Sequence, residues 1–314
     1  MGRRISIFIC FLLWGAGLCA QTVDTVVVEK KVITLSEVII RNNINVPSFI
    51  ERIQNDTSFY KAFKNLRILQ FTSLNDIMMF DRKGDMKASL NSRTSQWAAN
   101  GCRYTNVQQE KVTGDIYDRK GQYNYYTLEL YASIFFARDT VCGENNIVQG
   151  SELSAKGKSG IQKHKEQLKM LFFNPGKPIS GLPFIGSKTA IFDEDMADRY
   201  AYSLDMAERL GELCYVFSVR AKEKEEGGNK NKVVIDEMVT WFSTKTFEVL
   251  ARNYSLSYKA GVYDFDVAME VEMAHFGEYL VPKVLRYNGN WDLVFKKRER
   301  GVFTATLFDF RDNN

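Results

Sequence analysis

Between Tyr263 and Met273 the chain alternates with a period of two. Tyr263, Phe265, Val267, Met269, Val271 and Met273 take the odd positions. Asp264, Asp266, Glu270 and Glu272 take even positions, with only Ala268 and Ala274 for company. A helix would scatter these charges around its circumference, whereas a strand sorts them onto one wet face and one dry face. The same pattern predicts strands near 200–207, 213–221, 233–242, 247–258, 279–287, 291–297 and 302–310. Short turns separate most of them, so they must pair antiparallel, because a parallel neighbour needs a long crossover. Pro282 removes a ladder donor, which puts its strand at an edge or gives it a bulge.

The first half is more mixed. Val32–Arg41 can form one strand. Val46-Pro47-Ser48 opens a helix with Phe49, Ile50 and Ile53 on one side. Asp56, Thr57 or Ser58 caps a second helix carrying Phe59, Tyr60 and Phe63. The motif Asp-Arg-Lys-Gly occurs twice, at Asp81–Gly84 and Asp118–Gly121, and each copy reads as a hairpin turn with Gly supplying a positive φ. A phosphate-binding loop needs several glycines ahead of a helix, and each copy has one. Tyr126–Phe136 fits a helix through Leu128, Tyr131 and Phe135, and Gly160–Phe173 fits another that Asn174-Pro175-Gly176 ends. The stretch 174–188 is rich in Pro and Gly and is expected to connect the mixed first half to a β-only second half.

The first twenty residues have the anatomy of a secretory signal: Arg3 and Arg4, the apolar run Ile5–Leu13, and the small Ala20 before Gln21. The run is shorter than the ~20 residues that span a bilayer as a helix. Residues 1–20 are therefore expected to be removed and the protein to reach the periplasm or the periplasmic face of the outer membrane. It would be peripheral to the membrane at most. Residues 21–45 form a polar segment and a strand, and 46–314 a single antiparallel-sheet domain with helices. The net charge is only +4, including the two signal arginines, which argues against a nucleic-acid partner. Lys222–Lys232 mixes both signs around Gly227-Gly228 and reads as a solvated loop. Of five cysteines, Cys102, Cys142 and Cys214 lie outside the signal. An odd number allows at most one internal bridge. Cys102 and Cys142 both sit beside loop-forming residues and are the expected pair, while Cys214 lies within an apolar strand and is expected to be a buried thiol.

Motifs for known chemistry are missing. There is no HExxH, GxSxG, paired CxxC or dinucleotide GxGxxG, and the cysteine spacing fits no zinc site. The two histidines, His164 and His275, form no cluster; His275 and Glu272 fall on opposite faces of a strand. The acidic row from Asp264 to Glu272 reads as a solvated face before it reads as a calcium site. No catalytic residue, metal or cofactor is expected. Aromatic residues are the remaining signal, with 22 Phe and 15 Tyr. Trp241, Tyr254, Tyr258, Phe265 and Met269 are the candidate lining of a sheet open to an acyl chain or lipidated peptide. The alternative is an ordinary core.

From about Tyr200 onward the succession resembles the lipoprotein-carrier (LolA/LolB-like) fold of Gram-negative envelopes. The residues that carry the likeness are Val239-Thr240-Trp241-Phe242, the turn and strand Ser243–Leu250, and Phe276-Gly277-Glu278-Tyr279-Leu280-Val281-Pro282. Ser243 stands where an acidic residue is more usual. Leu35–Ile40 also resembles a segment of outer-membrane-associated proteins that carry a carboxypeptidase-regulatory-like domain. The first likeness implies a half-open barrel over helices and a role in hydrophobe binding or envelope assembly. The fold class expected is thus α+β, predominantly β: one large antiparallel sheet with a few helices from the N-terminal half. The function expected is non-catalytic binding of a lipid or lipidated peptide. A structural or interaction module with a self-filled sheet, or an unrecognised hydrolase, is the alternative, and the partner would be a hydrophobic ligand or an envelope protein.

Overall fold

The computed structural model describes residues 25–28, 31–38, 45–136, 139–148, 171–179, 185–222, 232–259, 263–293 and 298–312. The signal segment, residues 160–170 of the expected fourth helix, the middle of the 174–188 connector and residues 223–231 lie outside the described residues. No helix among the described residues is long and apolar enough to cross a membrane.

The strands are β1 (Thr25–Val28), β2 (Lys31–Val38), β3 (Gln70–Phe80), β4 (Met86–Ala99), β5 (Cys102–Thr113), β6 (Val141–Cys142), β7 (Tyr200–Arg209), β8 (Glu212–Ala221), β9 (Ile235–Ser243), β10 (Val249–Lys259), β11 (Tyr263–Phe276), β12 (Tyr279–Leu293) and β13 (Glu299–Arg311). They form one sheet in the order β1-β2-β7-β8-β9-β10-β11-β12-β13-β3-β4-β5-β6. From β7 to β6 every pairing is antiparallel, and β2 joins β7 in parallel. The sheet does not close on itself, since its outermost strands are β1 and β6.

The described helices are α1 (Val46–Asn55), α2 (Ser58–Asn65), α3 (Tyr126–Phe135) and the short α4 (Glu194–Ala197). The side chain of Asn45 caps α1 by accepting from the Ser48 amide at 3.1 Å, and a proline stands in its first turn. α1 places Phe49 edge-on against Tyr215 and Phe247, each at 5.2 Å. α2 is tied to the sheet at both ends: Ser58 Oγ accepts from the Val249 amide, and Asn65 Nδ2 donates to the Leu280 carbonyl at 2.7 Å. Between those ties the buried Arg252 guanidinium lies 4.4 Å from the Phe59 ring centroid.

Two expectations are corrected, and the one for Pro282 is met by its second alternative, a bulge. The separate strands expected at 279–287 and 291–297 are one strand, β12, because Tyr-Asn-Gly-Asn at 287–290 continues the ladder with both neighbours instead of turning. β12 is central, and Pro282 is accommodated by a bulge where the register with β11 shifts between Glu272 and Met273. Only the first Asp-Arg-Lys-Gly copy joins two long strands, β3 and β4; the second closes an isolated bridge between Tyr117 and Tyr123. Both turns share one device. The aspartate Oδ1 accepts from the amides two and four residues on, in Asp81 and Asp118 alike.

Candidate functional site

Cross-strand register defines one continuous face. Tyr202, Val219, Met238, Tyr254, Met269, Tyr287, Phe303, Ile77 and Leu90 are successive partners across nine strands. All nine side chains are buried. Partners in register point to the same side, so this row is the dry face of the sheet, and the helices cover it. The odd-numbered face of β11 and the Tyr254/Tyr258 face of β10 are therefore one surface, not two adjacent ones.

Four of the five candidate lining residues meet on that surface: Tyr254, Tyr258, Phe265 and Met269. Trp241 does not. It pairs with Ala251, while its neighbours Thr240 and Phe242 take the covered side, so the expected Trp241/Tyr254 face is not formed. Trp241 lies on the outer face, half-buried, with the Arg209 guanidinium 4.4 Å from its ring centroid. From Met238–Tyr254 to Trp241–Ala251 the β9–β10 register runs without a shift, so Trp241, three residues from Met238, takes the opposite face. Which face of β9 is covered depends on that pairing, and alternation within a single strand does not carry it.

At one end of the covered face Phe265 packs on Trp291 at 4.8 Å, and the Lys188 ammonium donates to the Tyr258 hydroxyl at 2.9 Å. In the middle, the Tyr254 hydroxyl donates to the Phe172 carbonyl at 2.7 Å. Residues 171–173 are helical. Phe172 turns toward Tyr287 and Trp291, and Phe173 packs on Phe63 of α2 at 4.6 Å. α3 covers the next stretch. It has no side-chain cap of its own; the Glu299 carboxylate of β13 accepts from the Tyr126 and Thr127 amides, each at 2.8 Å, and from the Thr127 hydroxyl at 2.7 Å.

Between α3, Phe172, Phe173 and strands β11 to β13 lies a cavity of about 40 Å³, lined among others by Leu130, Tyr131, Ile134, Met269, Leu285 and Phe303. Of the five candidates only Met269 reaches it. An apolar cavity that holds benzene measures about 150 Å³, so this one has space for a few atoms. Further along, the covered face emerges as an open groove of about 380 Å³ over β4 and β5, bordered by Leu90, Thr94, Val107, Tyr117, Tyr123 and Phe136. Val107 is 51% exposed there. Burial pushes the phenols of Tyr131, Tyr254 and Tyr287 well above their ordinary range, with Arg252 partly opposing this at Tyr254 and Trp291 at Tyr287. All three thus stay neutral.

The α3 contribution was within reach of the sequence, since Leu128, Tyr131 and Phe135 fall at helical spacing. Phe172 and Phe173 also end a predicted helix, but no local pattern says that they face Tyr287 and Phe63.

Three carboxylates of the acidic row on β11 form ion pairs on the outer face. Asp264 pairs with Arg298 at 3.4 Å, Glu270 with Arg286 at 3.5 Å and Glu272 with Arg209 at 3.2 Å. His275 lies 3.5 Å from Glu248. No group of three or more His, Cys, Asp or Glu side chains suited to a metal occurs among the described residues. Cys102 and Cys142 form a disulfide that holds β6 to β5, and Cys214 is a buried free thiol. Ser243 Oγ accepts from the Lys245 and Thr246 amides, each at 3.1 Å, and so serves the turn in place of a carboxylate.

No family model and no curated protein matches the chain. Among solved structures it is similar to an outer membrane lipoprotein-sorting protein domain from Vibrio parahaemolyticus, with 9% identity over 85% of this chain and 91% of that one, at a TM-score of 0.28. It is also similar to a DUF1329 family protein from Desulfovibrio piger, with 11% identity over 81% and 90% of the two chains, at a TM-score of 0.22. A third likeness, to lipovitellin, has 8% identity over 78% of this chain and 25% of that one, at a TM-score of 0.25. Similarity at these TM-scores bears on neither ligand nor activity.

Proposed function

We propose that the chain is a non-catalytic, exported envelope protein that binds an acyl chain, from a lipid or a lipidated peptide, between the covered face of its sheet and the helices above. The observation that carries this reading is the cover itself. Among the described residues a dry face running across nine strands is roofed by helices, the short α1, α2 and α3 together with the helical residues 171–173, rather than by a second sheet. Short helices hold such a position only through their contacts. An acyl chain replaces those contacts like for like, at about 0.8 kcal/mol per buried methylene. The groove beside Phe136 supplies a solvent-facing continuation of the same face.

A second reading has its own support: a cavity of only 40 Å³ suits a self-filled interaction module. Native mass spectrometry of protein purified from the envelope fraction separates the two. The carrier reading expects a mature chain beginning at Gln21, with fatty acid or phospholipid adducts that delipidation removes. Identical spectra before and after delipidation, together with no binding of an apolar dye, would leave the module standing.

A further inference from the structure

Under α3 a polar atom is buried with nothing to bind. Tyr131 is 7% exposed and lines the cavity, and its hydroxyl has no hydrogen-bond partner among the described residues. Two other phenols on the same face, those of Tyr254 and Tyr287, have partners, while Tyr200 on β7 has none among the described residues. Tyr254 donates to the Phe172 carbonyl, and the Tyr287 hydroxyl oxygen accepts from the Trp291 indole at 2.5 Å. The Tyr131 ring is packed at 4.8 Å against both Phe135 and Phe303, which keeps it from swinging toward solvent. Thr127, which like Tyr287 brings a hydroxyl to the cavity wall, is already committed to Glu299. A buried hydroxyl without a partner is destabilising, and phenylalanine would fill the same space without that penalty.

We propose that the Tyr131 hydroxyl is the polar anchor of the ligand site, donating to the carbonyl or carboxyl oxygen of a fatty acid or acyl ester whose tail lies on the covered face. This rests on the hydrophobe-binding reading above and adds a selectivity to it, for oxygenated apolar ligands over hydrocarbons. The phenol stays neutral and is a donor throughout the physiological range, because burial pushes its ionisation to higher pH. The existing cavity accepts only a few atoms, so the acyl group enters by displacing Phe172 and Phe173, which form part of its wall.

The test compares the delipidated full chain with its Tyr131→Phe variant. The probes are cis-parinaric acid, which carries a carboxyl, and diphenylhexatriene, which has no oxygen. Loss of the anchor should weaken parinaric acid about tenfold, the equivalent of one buried hydrogen bond. Diphenylhexatriene should stay within twofold, and the ligand-free variant should melt at a higher temperature than the parent. Equal weakening of both probes would reduce Tyr131 to a packing residue and overturn the proposal. Unchanged parinaric acid affinity would do the same while leaving the carrier reading intact. A lower melting temperature for the ligand-free variant would show that the hydroxyl has a partner in the free protein, again against the proposal. If neither probe binds the parent chain, the carrier reading and the anchor fall together.

Discussion

Glu299 is the most economical place to loosen the cover over the cavity. Its carboxylate takes three donors from the first turn of α3, a helix of ten residues with Tyr125 at its cap position and no side chain of its own to serve those amides. A single hydrogen bond to a charged group contributes about 1.5–3 kcal/mol. Three bonds to one carboxylate are not additive, and at a half-buried site the freed amides reach water when the turn frays. Removing all three with Glu299→Ala should therefore cost about 2–3 kcal/mol, a substantial share of the roughly 5–15 kcal/mol that stabilises a domain. Glu299→Gln keeps one acceptor oxygen but turns an NH2 toward the remaining amide, and should cost about half as much. Urea denaturation gives the totals, and amide exchange locates them: protection should fall at 126–130 before it falls in the β10–β12 ladder. A change under about 0.5 kcal/mol for the alanine variant, with exchange at 126–130 unaltered, would refute the idea that β13 holds α3 through this group.

Other expectations follow from the same geometry. Replacing Cys102 and Cys142 with serine opens a separation of 40 residues that encloses α3 and the second Asp-Arg-Lys-Gly turn. On the chain-entropy estimate the loss is about 4 kcal/mol, read as a fall in the denaturation midpoint; a loss below about 1 kcal/mol would mean the unfolded chain is already constrained there. In Gly289→Ala the new Cβ would sit 1.9 Å from Tyr287 Oη and 2.3 Å from its Cζ, so the ring must leave its place beside Trp291. Overpacking of this kind costs about 1–3 kcal/mol and should change the near-ultraviolet dichroism; an unaltered spectrum would contradict it. Trp241→Asp should leave apolar-dye affinity within twofold, since Trp241 faces outward beneath Arg209, and a tenfold loss would return it to the binding surface.

The second half of the fold was legible because its strands obey one rule, dry on one side and wet on the other. The first half announced β3 and β4 only through the hairpin turn at Asp81–Gly84, and hid the extent and covered side of β3, β4 and β5 by breaking that rule. Their covered side carries Ser73, Asn75, Thr94 and Gln96, all buried and hydrogen-bonded to one another or to nearby backbone. Gln96 Nε2 donates to the Leu66 and Leu69 carbonyls, and its Oε1 accepts from Arg103, which pairs with Glu144 at 2.6 Å. Apart from the Ser73–Asn75 bond, the partners are distant in sequence, so no local pattern could mark these side chains as interior. Of the candidate site, the aromatic strip on β10 and β11 was legible from alternation. The exclusion of Trp241 was not, because it depends on the β9–β10 register. Tyr131 stood at helical spacing, but its missing partner is a property of the assembled cavity.

The position of β13 between β12 and β3 has a consequence for how the molecule is made. β13, which follows β7–β12 in sequence, is the seam that joins the sheet's two halves, and among the described residues no other strand pairing links β3–β6 to β7–β12. During synthesis from the N-terminus, β3–β5 emerge early and must wait, with one long edge unpaired, until Glu299–Arg311 arrives. Pairings so far apart along the chain form slowly. Exposed edges in the interval invite association with other chains. A chain interrupted before Glu299 would thus yield not a slightly shortened protein but two unsealed half-sheets.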